Sequence, residues 1–334
     1  MSNGINRREF IKRSTSAGIA SVLTLTLGND IVKAGPDNSN KATIIDLTKC
    51  DGCIKLETPA CVTACTKKNT SKFPVVNEEL LKPYWPQPKF EDHSKNKEVT
   101  DKLTPYNWTF VDKVEVDGEF ISIPRRCMHC DNATCLGMCP FGAIEKEDTG
   151  AVCINDELCF GGAKCRDVCP WNIPQRQAGV GIYTKIAPEY IGGGVMYKCD
   201  FCSDLLKNGQ EPACVTSCPN NAIIFGEKDE LRKKVYELAE KINGFVYGDK
   251  ENGGTSTFYL SKVPFDKINE QLKKKNTTPE GQIIGRPLME PRIENKLDTV
   301  SGMAISAALA PIAGIVTAGY VASKRLKGGK SDGE

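Results

Sequence analysis

Two stretches of the chain alternate like strands, and a third has the spacing of a helix. WTFVDKVEV (108–116) and EFISIP (119–124) alternate apolar and polar positions, and Asp117-Gly118 between them reads as the turn of a β-hairpin. From Asp229 to Ile242 the apolar residues Leu231, Val235, Leu238 and Ile242 recur at helical spacing, which predicts an amphipathic helix. CPFGAI (139–144) and CPNNAI (218–223) each read as a turn running into a short strand, and GAVCIND (150–156) as another short strand. Residues 66–126 form a long insertion that includes the Pro/aromatic-rich loop KPYWPQPKF (82–90). Residues 266–298 are polar and basic and read as a linker.

Both ends carry uncharged runs. Arg7-Arg8 precede Phe10, Ile11 and Lys12, then the weakly apolar Ala17–Leu27, and Val32-Lys33-Ala34 fits a cleavage site. This layout predicts a twin-arginine export signal over 1–34; the alternative is a basic helix that stays on the protein. Thr299–Ser323 has no charge over 25 residues. A bilayer core needs about 20 apolar residues of helix, so a transmembrane helix is expected over 299–323. Lys324, Arg325, Lys327 and Lys330 then mark 324–334 as a basic cytoplasmic tail. Gly302, Ser306, Ala310, Gly314, Ala318 and Ala322 form a ridge along which another helix could approach closely. The alternative is a soluble helix buried on all sides. Both terminal readings place residues 35–298 on the periplasmic face of the membrane, exported already folded and held by a single C-terminal anchor.

The 334 residues carry 44 basic and 42 acidic side chains, which gives no nucleic-acid footprint. Cysteine is the outlier: 16 residues, none before 50 or after 218. They fall into four groups. These are Cys50-x2-Cys53-x7-Cys61-x3-Cys65, Cys127-x2-Cys130-x4-Cys135-x3-Cys139-Pro140, Cys159-x5-Cys165-x3-Cys169-Pro170 and Cys199-x2-Cys202-x11-Cys214-x3-Cys218-Pro219. A C-x2-C loop can turn backbone amides toward two thiolates of one iron–sulfur cluster. A C-x3-C pair at a helix start directs its last cysteine to a neighbouring cluster. Zinc uses C-x2-C pairs but does not require four C-x3-C endings, no C-x-x-C-H haem motif occurs, and the regular spacings argue against disulfides. Fifteen cysteines fit the cluster template; Cys153 fits none. In CFGGAKCRDVCP (159–170) the template's second cysteine would fall at 162, where Gly162 stands.

These motifs, with IIFGEKDEL (223–231) and GGTSTFYLSKVPF (253–265), resemble the four-cluster ferredoxin-like beta subunits of membrane oxidoreductases. That family includes the dimethyl sulfoxide reductase, formate dehydrogenase and nitrate reductase beta subunits, and the hydrogenase-2 type is the nearest in architecture. The resemblance implies an α+β fold of tandem ferredoxin-like dicluster modules over 35–265, with inserted loops and a hairpin. It also implies crossed ligation. Cys50, Cys53 and Cys61 would bind one cluster with Cys218, and Cys199, Cys202 and Cys214 its neighbour with Cys65. Cys127, Cys130 and Cys135 would bind a third with Cys169, and Cys159 and Cys165 a fourth with Cys139. The insertion IKLETPA (54–60) departs from the usual spacing of group one.

Glycine offers no ligand atom, and in the resembling nitrate reductase subunit a tryptophan takes this position beside a three-iron cluster. The expected complement is therefore three [4Fe–4S] clusters and one [3Fe–4S] cluster, with Cys153 a free thiol. The alternative is a fourth [4Fe–4S] cluster completed by Cys153. His129, inside CMHC, either tunes a cluster by hydrogen bonding or only packs in its loop; His93 is assigned nothing.

No P-loop, GxGxxG or histidine-rich acid–base site is present, so a non-catalytic electron relay is expected. Its partners would be a catalytic subunit, preferably a nickel–iron hydrogenase, and a quinone-reactive membrane subunit. The rivals are the beta subunit of a molybdopterin oxidoreductase, an exported oxidoreductase with one catalytic non-standard cluster, and a zinc- or disulfide-stabilised assembly protein.

Overall fold

The computed structural model describes residues 40–83, 90–186 and 193–328. The expected export signal over 1–34, most of the loop 82–90 and the end of the basic tail lie outside the described residues. In chain order the elements are β1 (Lys41–Asp46), α1 (Ala60–Asn69), β2 (Phe110–Val116), β3 (Glu119–Arg125), α2 (Thr134–Gly137), β4 (Ile144–Lys146) and β5 (Val152–Ile154). Then come α3 (Lys164–Asp167), β6 (Gln175–Gln177), α4 (Tyr183–Ile186), β7 (Val195–Tyr197), α5 (Ser203–Lys207), α6 (Ala213–Thr216) and β8 (Ile223–Glu227). The chain closes with α7 (Lys228–Ile242), β9 (Phe245–Tyr247), β10 (Thr257–Ser261), α8 (Phe265–Asn276) and α9 (Val300–Gly328).

The two ends of the cysteine region are tied by one sheet in the order β8-β1-β10-β9. β1 runs antiparallel to β8 and parallel to β10. The helical face seen in the sequence covers it: Leu231, Val235 and Ala239 of α7 pack on Ala42, Ile44, Phe258 and Leu260. The hairpin pairs Phe110 with Arg125 through Val116 with Glu119. Its turn takes positive φ at Asp117 (52°) and Gly118 (85°), as a two-residue hairpin loop with right-handed strand twist requires.

Two expectations need correction. Residues 266–298 are not a linker. Phe265, Ile268 and Leu272 of α8 are buried against β2 with Met289, and Asp112 on β2 accepts hydrogen bonds from Lys275 (2.6 Å) and Asn276 (2.9 Å). Lysines on the outer face dilute the apolar stripe, so average polarity hides it.

The expected transmembrane helix over 299–323 forms as part of α9, but among the described residues no helix is long and apolar enough to cross a membrane. Its Ala/Gly/Ser composition supplies little apolar surface, and one face already lies on the protein. Ser306 donates to Gly137 O (3.0 Å), Val316 and Tyr320 pack against the core, and the Tyr320 hydroxyl donates to Glu157. The first part of the small-residue ridge serves close approach to the chain's own body, since a Cβ at Gly302 would meet the carbonyl of Lys296 at 1.7 Å, whereas Gly314 is exposed with open space beside it. The outward face carries exposed Val300, Met303, Ile305, Ile312 and Ile315.

Candidate iron–sulfur sites

Each cysteine group repeats one backbone design. In the C-x2-C loops the third residue is left-handed in every case: Gly52 (φ 70°), His129 (50°) and Phe201 (61°). Asp51 and Asp200 fix two of these turns by accepting from the amides of Cys53 and Cys202, both at 2.8 Å. Such turns direct successive N–H groups into a concave anion-binding nest. The first cysteine of every C-x3-C pair is the second residue of a helix: Cys61 in α1, Cys135 in α2, Cys165 in α3 and Cys214 in α6. After each Cys-Pro the chain turns at a left-handed residue three positions on, at Gly142, Asn172 and Asn221. Glycine and asparagine adopt that conformation at least cost.

α1 lies on α6, and α2 lies on α3. Cys50, Cys53, Cys61 and Cys218 line one cavity, and Cys65, Cys199, Cys202 and Cys214 line a second. Burial, then the neighbouring thiols of Cys127, Cys135 and Cys169, raise the pKa of Cys130 well above the ordinary thiol value. Cys165 is raised by burial and then by Cys159, with Cys135, Cys139 and Cys169 following. The two cavities each gather four thiols, whereas around Cys165 the thiols of Cys135 and Cys169 lie together with those of Cys159 and Cys139. None of the sixteen cysteines forms a disulfide.

Group three keeps the loop and loses the ligand. Gly161 (φ 66°) occupies the position of Gly52, His129 and Phe201, and Gly162 follows where the others have cysteine. Cys153 is elsewhere. On β5 its side chain packs with Ala151, Phe201, Leu206 and Phe225, its Sγ lies 3.6 Å from Asp200 O, and burial pushes its thiol up to about 12.

Two residues that the sequence reading missed lie among the thiols. Lys198 and Arg126 are buried, at 6% and 3% exposure. The Lys198 ammonium donates to the carbonyls of Val152 and Cys199. Burial works against its charge, yet the thiols of Cys127, Cys135, Cys153 and Cys199 outweigh burial and hold its pKa above the ordinary lysine value. Arg126 donates to Thr43, while its Nε and Nη1 have no hydrogen-bond partner among the described residues. Burial again opposes its charge, and the thiols of Cys214 and Cys199 outweigh it. A buried, uncompensated ion costs several kcal/mol. Neither cation has a carboxylate partner among the described residues, so the compensating charge has to come from the sulfur side. A cluster ligated by thiolates is anionic, and the donor set fits it.

Further N–H groups point at sulfur. The amides of Met196, Phe201 and Ala222 donate to Cys159 (3.4 Å), Cys199 (3.4 Å) and Cys218 (3.3 Å), and the Asn252 amide donates to Cys130 (3.3 Å). His129 is fully buried, accepts from Val152 N at Nδ1 (3.0 Å), and stacks on Phe201 at 4.7 Å. Burial, then Lys198, Arg126 and Lys146, press its pKa well below the ordinary value. His93, assigned nothing from sequence, lies by the 66–126 insertion's anchor, where its amide donates to Gln177 (2.8 Å).

That anchor is Glu91. It accepts from Arg166 through both oxygens (2.7 Å each) and from Arg176 (2.5 Å). Burial works against its charge, but Arg166 and Arg176 outweigh this and hold its pKa below the ordinary glutamate value. A depressed carboxylate stabilises the fold above its unfolded pKa and loses that contribution as pH falls through the folded one. Glu91→Gln is therefore expected to cost about 1.5–3 kcal/mol at neutral pH. The gap in urea midpoint between variant and wild type should close as the pH drops below the ordinary carboxylate range. A gap that is constant with pH would show that the charge does not matter.

The 4Fe-4S dicluster domain matches this chain twice, over residues 49–143 and 118–228. The chain is a 4Fe-4S dicluster protein with two such ferredoxin-like units in tandem. It is similar to the hydrogenase-2 operon protein HybA of Escherichia coli O157:H7, at 29% identity over 309 residues, covering 79% of this chain and 83% of that protein. It is also similar to the formate dehydrogenase-O iron-sulfur subunit of Escherichia coli (strain K12), at 31% over 234 residues and 66% of each chain. One subunit of the anaerobic dimethyl sulfoxide reductase of the same strain matches at 40% over 113 residues, 34% of this chain and 49% of that subunit. Of these relatives, one is by name an iron–sulfur subunit of a dehydrogenase and another a chain of a reductase.

Proposed function

We propose that this chain is a non-catalytic electron-transfer subunit that relays single electrons between a catalytic subunit on the periplasmic side and a quinone-reactive membrane subunit. The observation that carries it is a pair of adjoining cavities, each lined by four cysteines and joined through α1–α6, with the buried cations Arg126 and Lys198 among the thiols. Bound clusters would each take up and release one electron at a time. Cys50, Cys53, Cys61 and Cys218 hold the first in this reading, and Cys65, Cys199, Cys202 and Cys214 the second. Cys127, Cys130, Cys135 and Cys169 hold the third. Cys139, Cys159 and Cys165 hold a three-iron cluster, with Gly162 at its open corner.

A nickel–iron hydrogenase is the preferred catalytic partner, because the similarity to the hydrogenase-2 operon protein runs over more of both chains than that to the formate dehydrogenase subunit. The second reading, a molybdopterin enzyme's beta subunit, is supported by those shorter matches. The uncharged outward face of α9 is suited to contact with the membrane subunit. Anaerobic purification followed by iron, sulfide and zinc analysis tests the reading: about 15 irons and about 16 sulfides per chain are expected for this complement. Stoichiometric zinc without sulfide would overturn it.

Export in the folded state follows from the twin-arginine layout, since cluster insertion precedes transport. Arg7→Lys together with Arg8→Lys is expected to leave the protein in the cytoplasm, as read by cell fractionation. Arrival of the double variant in the periplasm would remove the twin-arginine signal from this account.

A further inference from the structure

His129 lies in the loop of one cysteine group and touches a cysteine of another. Its Nε2 is 3.6 Å from Cys199 Sγ, whereas its own loop carries Cys127 and Cys130. The direction of that contact is decided at the opposite side of the ring. The Val152 amide, which can only donate, reaches Nδ1 at 3.0 Å, so Nδ1 accepts and the ring proton resides on Nε2. Val152 is itself held on its carboxyl side, where its carbonyl accepts from Lys198. Phe201, stacked on the imidazole with an interplanar angle of 19°, leaves the ring no freedom to turn away. His129 also sits at φ 50°, where glycine or asparagine would be less strained, so the loop keeps an imidazole despite the backbone.

We propose that His129 donates its Nε2–H to the thiolate of Cys199, and thereby raises the potential of the cluster held by Cys65, Cys199, Cys202 and Cys214 from within the loop of the neighbouring module. Hydrogen bonds to cluster sulfurs are among the protein's means of setting potential. An N–H donor stabilises the more negative, reduced state, so its loss lowers the potential. Cys199 Sγ already accepts the Phe201 amide at 3.4 Å, and the imidazole adds a second donor. This makes His129 a positioning and tuning residue at the junction of the two modules. It rests on the reading that the four thiol sets hold clusters.

The test uses the complete, cluster-loaded protein. The chain has two histidines, so 15N-histidine labelling reports almost directly on His129. The reduced protein should show a 15N hyperfine coupling in pulsed electron paramagnetic resonance, assigned by its absence from His129→Leu. In a redox titration, His129→Leu should lower one [4Fe–4S] midpoint. The reduced-to-oxidised ratio at fixed potential should fall about tenfold, about 59 mV for a one-electron couple. His129→Gln, which retains an N–H donor, should recover part of the shift. Unchanged midpoints in His129→Leu overturn the proposal. If that variant does not load its clusters, the wild-type coupling decides: full iron and sulfide without a 15N coupling sinks the His129 assignment alone. A wild type without clusters sinks the parent reading as well.

Discussion

Cys65→Ala is expected to cost a full cluster and to weaken its neighbour, although it removes one thiol. Cys61 and Cys65 stand one turn apart on α1, about 6 Å along the axis. The first lines one cavity and the second lines the next. Cys65 is raised well above the ordinary thiol value by burial and then by Cys199, Cys214 and Cys202, the three thiols it faces on the group-four side. Without it, three thiols remain beside Arg126, whose buried charge has lost part of its compensation. The α1–α6 seam that also supports Cys61 and Cys218 is loosened with it. Iron should fall from about 15 to about 11 per chain or lower, and removing one partner of a buried charged set should destabilise the fold by about 3–5 kcal/mol. Cys153→Ala is the control, expected to keep all its iron. Full iron in Cys65→Ala, or iron loss in the control, would show that the thiol sets are wrongly drawn.

The cysteine phase was legible because cluster ligation constrains spacing more tightly than packing does. The hairpin and α7 were legible for the ordinary reason that each buries one face. Where the reading failed, the physical cause differs from case to case. In α8 the lysines on the outer face hide the stripe of Phe265, Ile268 and Leu272. For α9, small residues at every fourth position do not say which surface they approach, and here Ser306 reaches Gly137 of the same chain.

Two signals were present and unread. A basic residue immediately precedes each C-x2-C pair, at Lys49, Arg126 and Lys198. The last two turn inward to become the buried cations, while the Lys49 side chain stays half exposed at 50% and pairs with Asp46. Strand alternation also separates Cys153 from the fourth site. Val152 and Ile154 pack in the cluster with Cys159 and Cys165, so Cys153 between them must point the other way.

Gly162→Cys is expected to abolish a signal that Cys153→Ser leaves untouched. An oxidised three-iron cluster is paramagnetic, whereas an oxidised [4Fe–4S] cluster is silent, so the oxidised wild type should show one resonance. The backbone admits the substitution. Gly161, not Gly162, takes the left-handed turn, and a Cβ built at Gly162 meets only the Phe141 ring, at 3.9 Å. The residue is exposed and directly follows a left-handed residue, as Cys53, Cys130 and Cys202 do, so a thiol at 162 falls at the second-ligand position of the template, although here the next left-handed residue is Ala163. The variant should therefore gain about one iron per chain as it loses the resonance. Cys153 has no route to that corner while its Sγ lies against Asp200 O on the other side of β5. A silent oxidised wild type that acquires the resonance in Cys153→Ser would make Cys153 the fourth ligand. A resonance that survives Gly162→Cys at full iron would place the open corner somewhere other than residue 162.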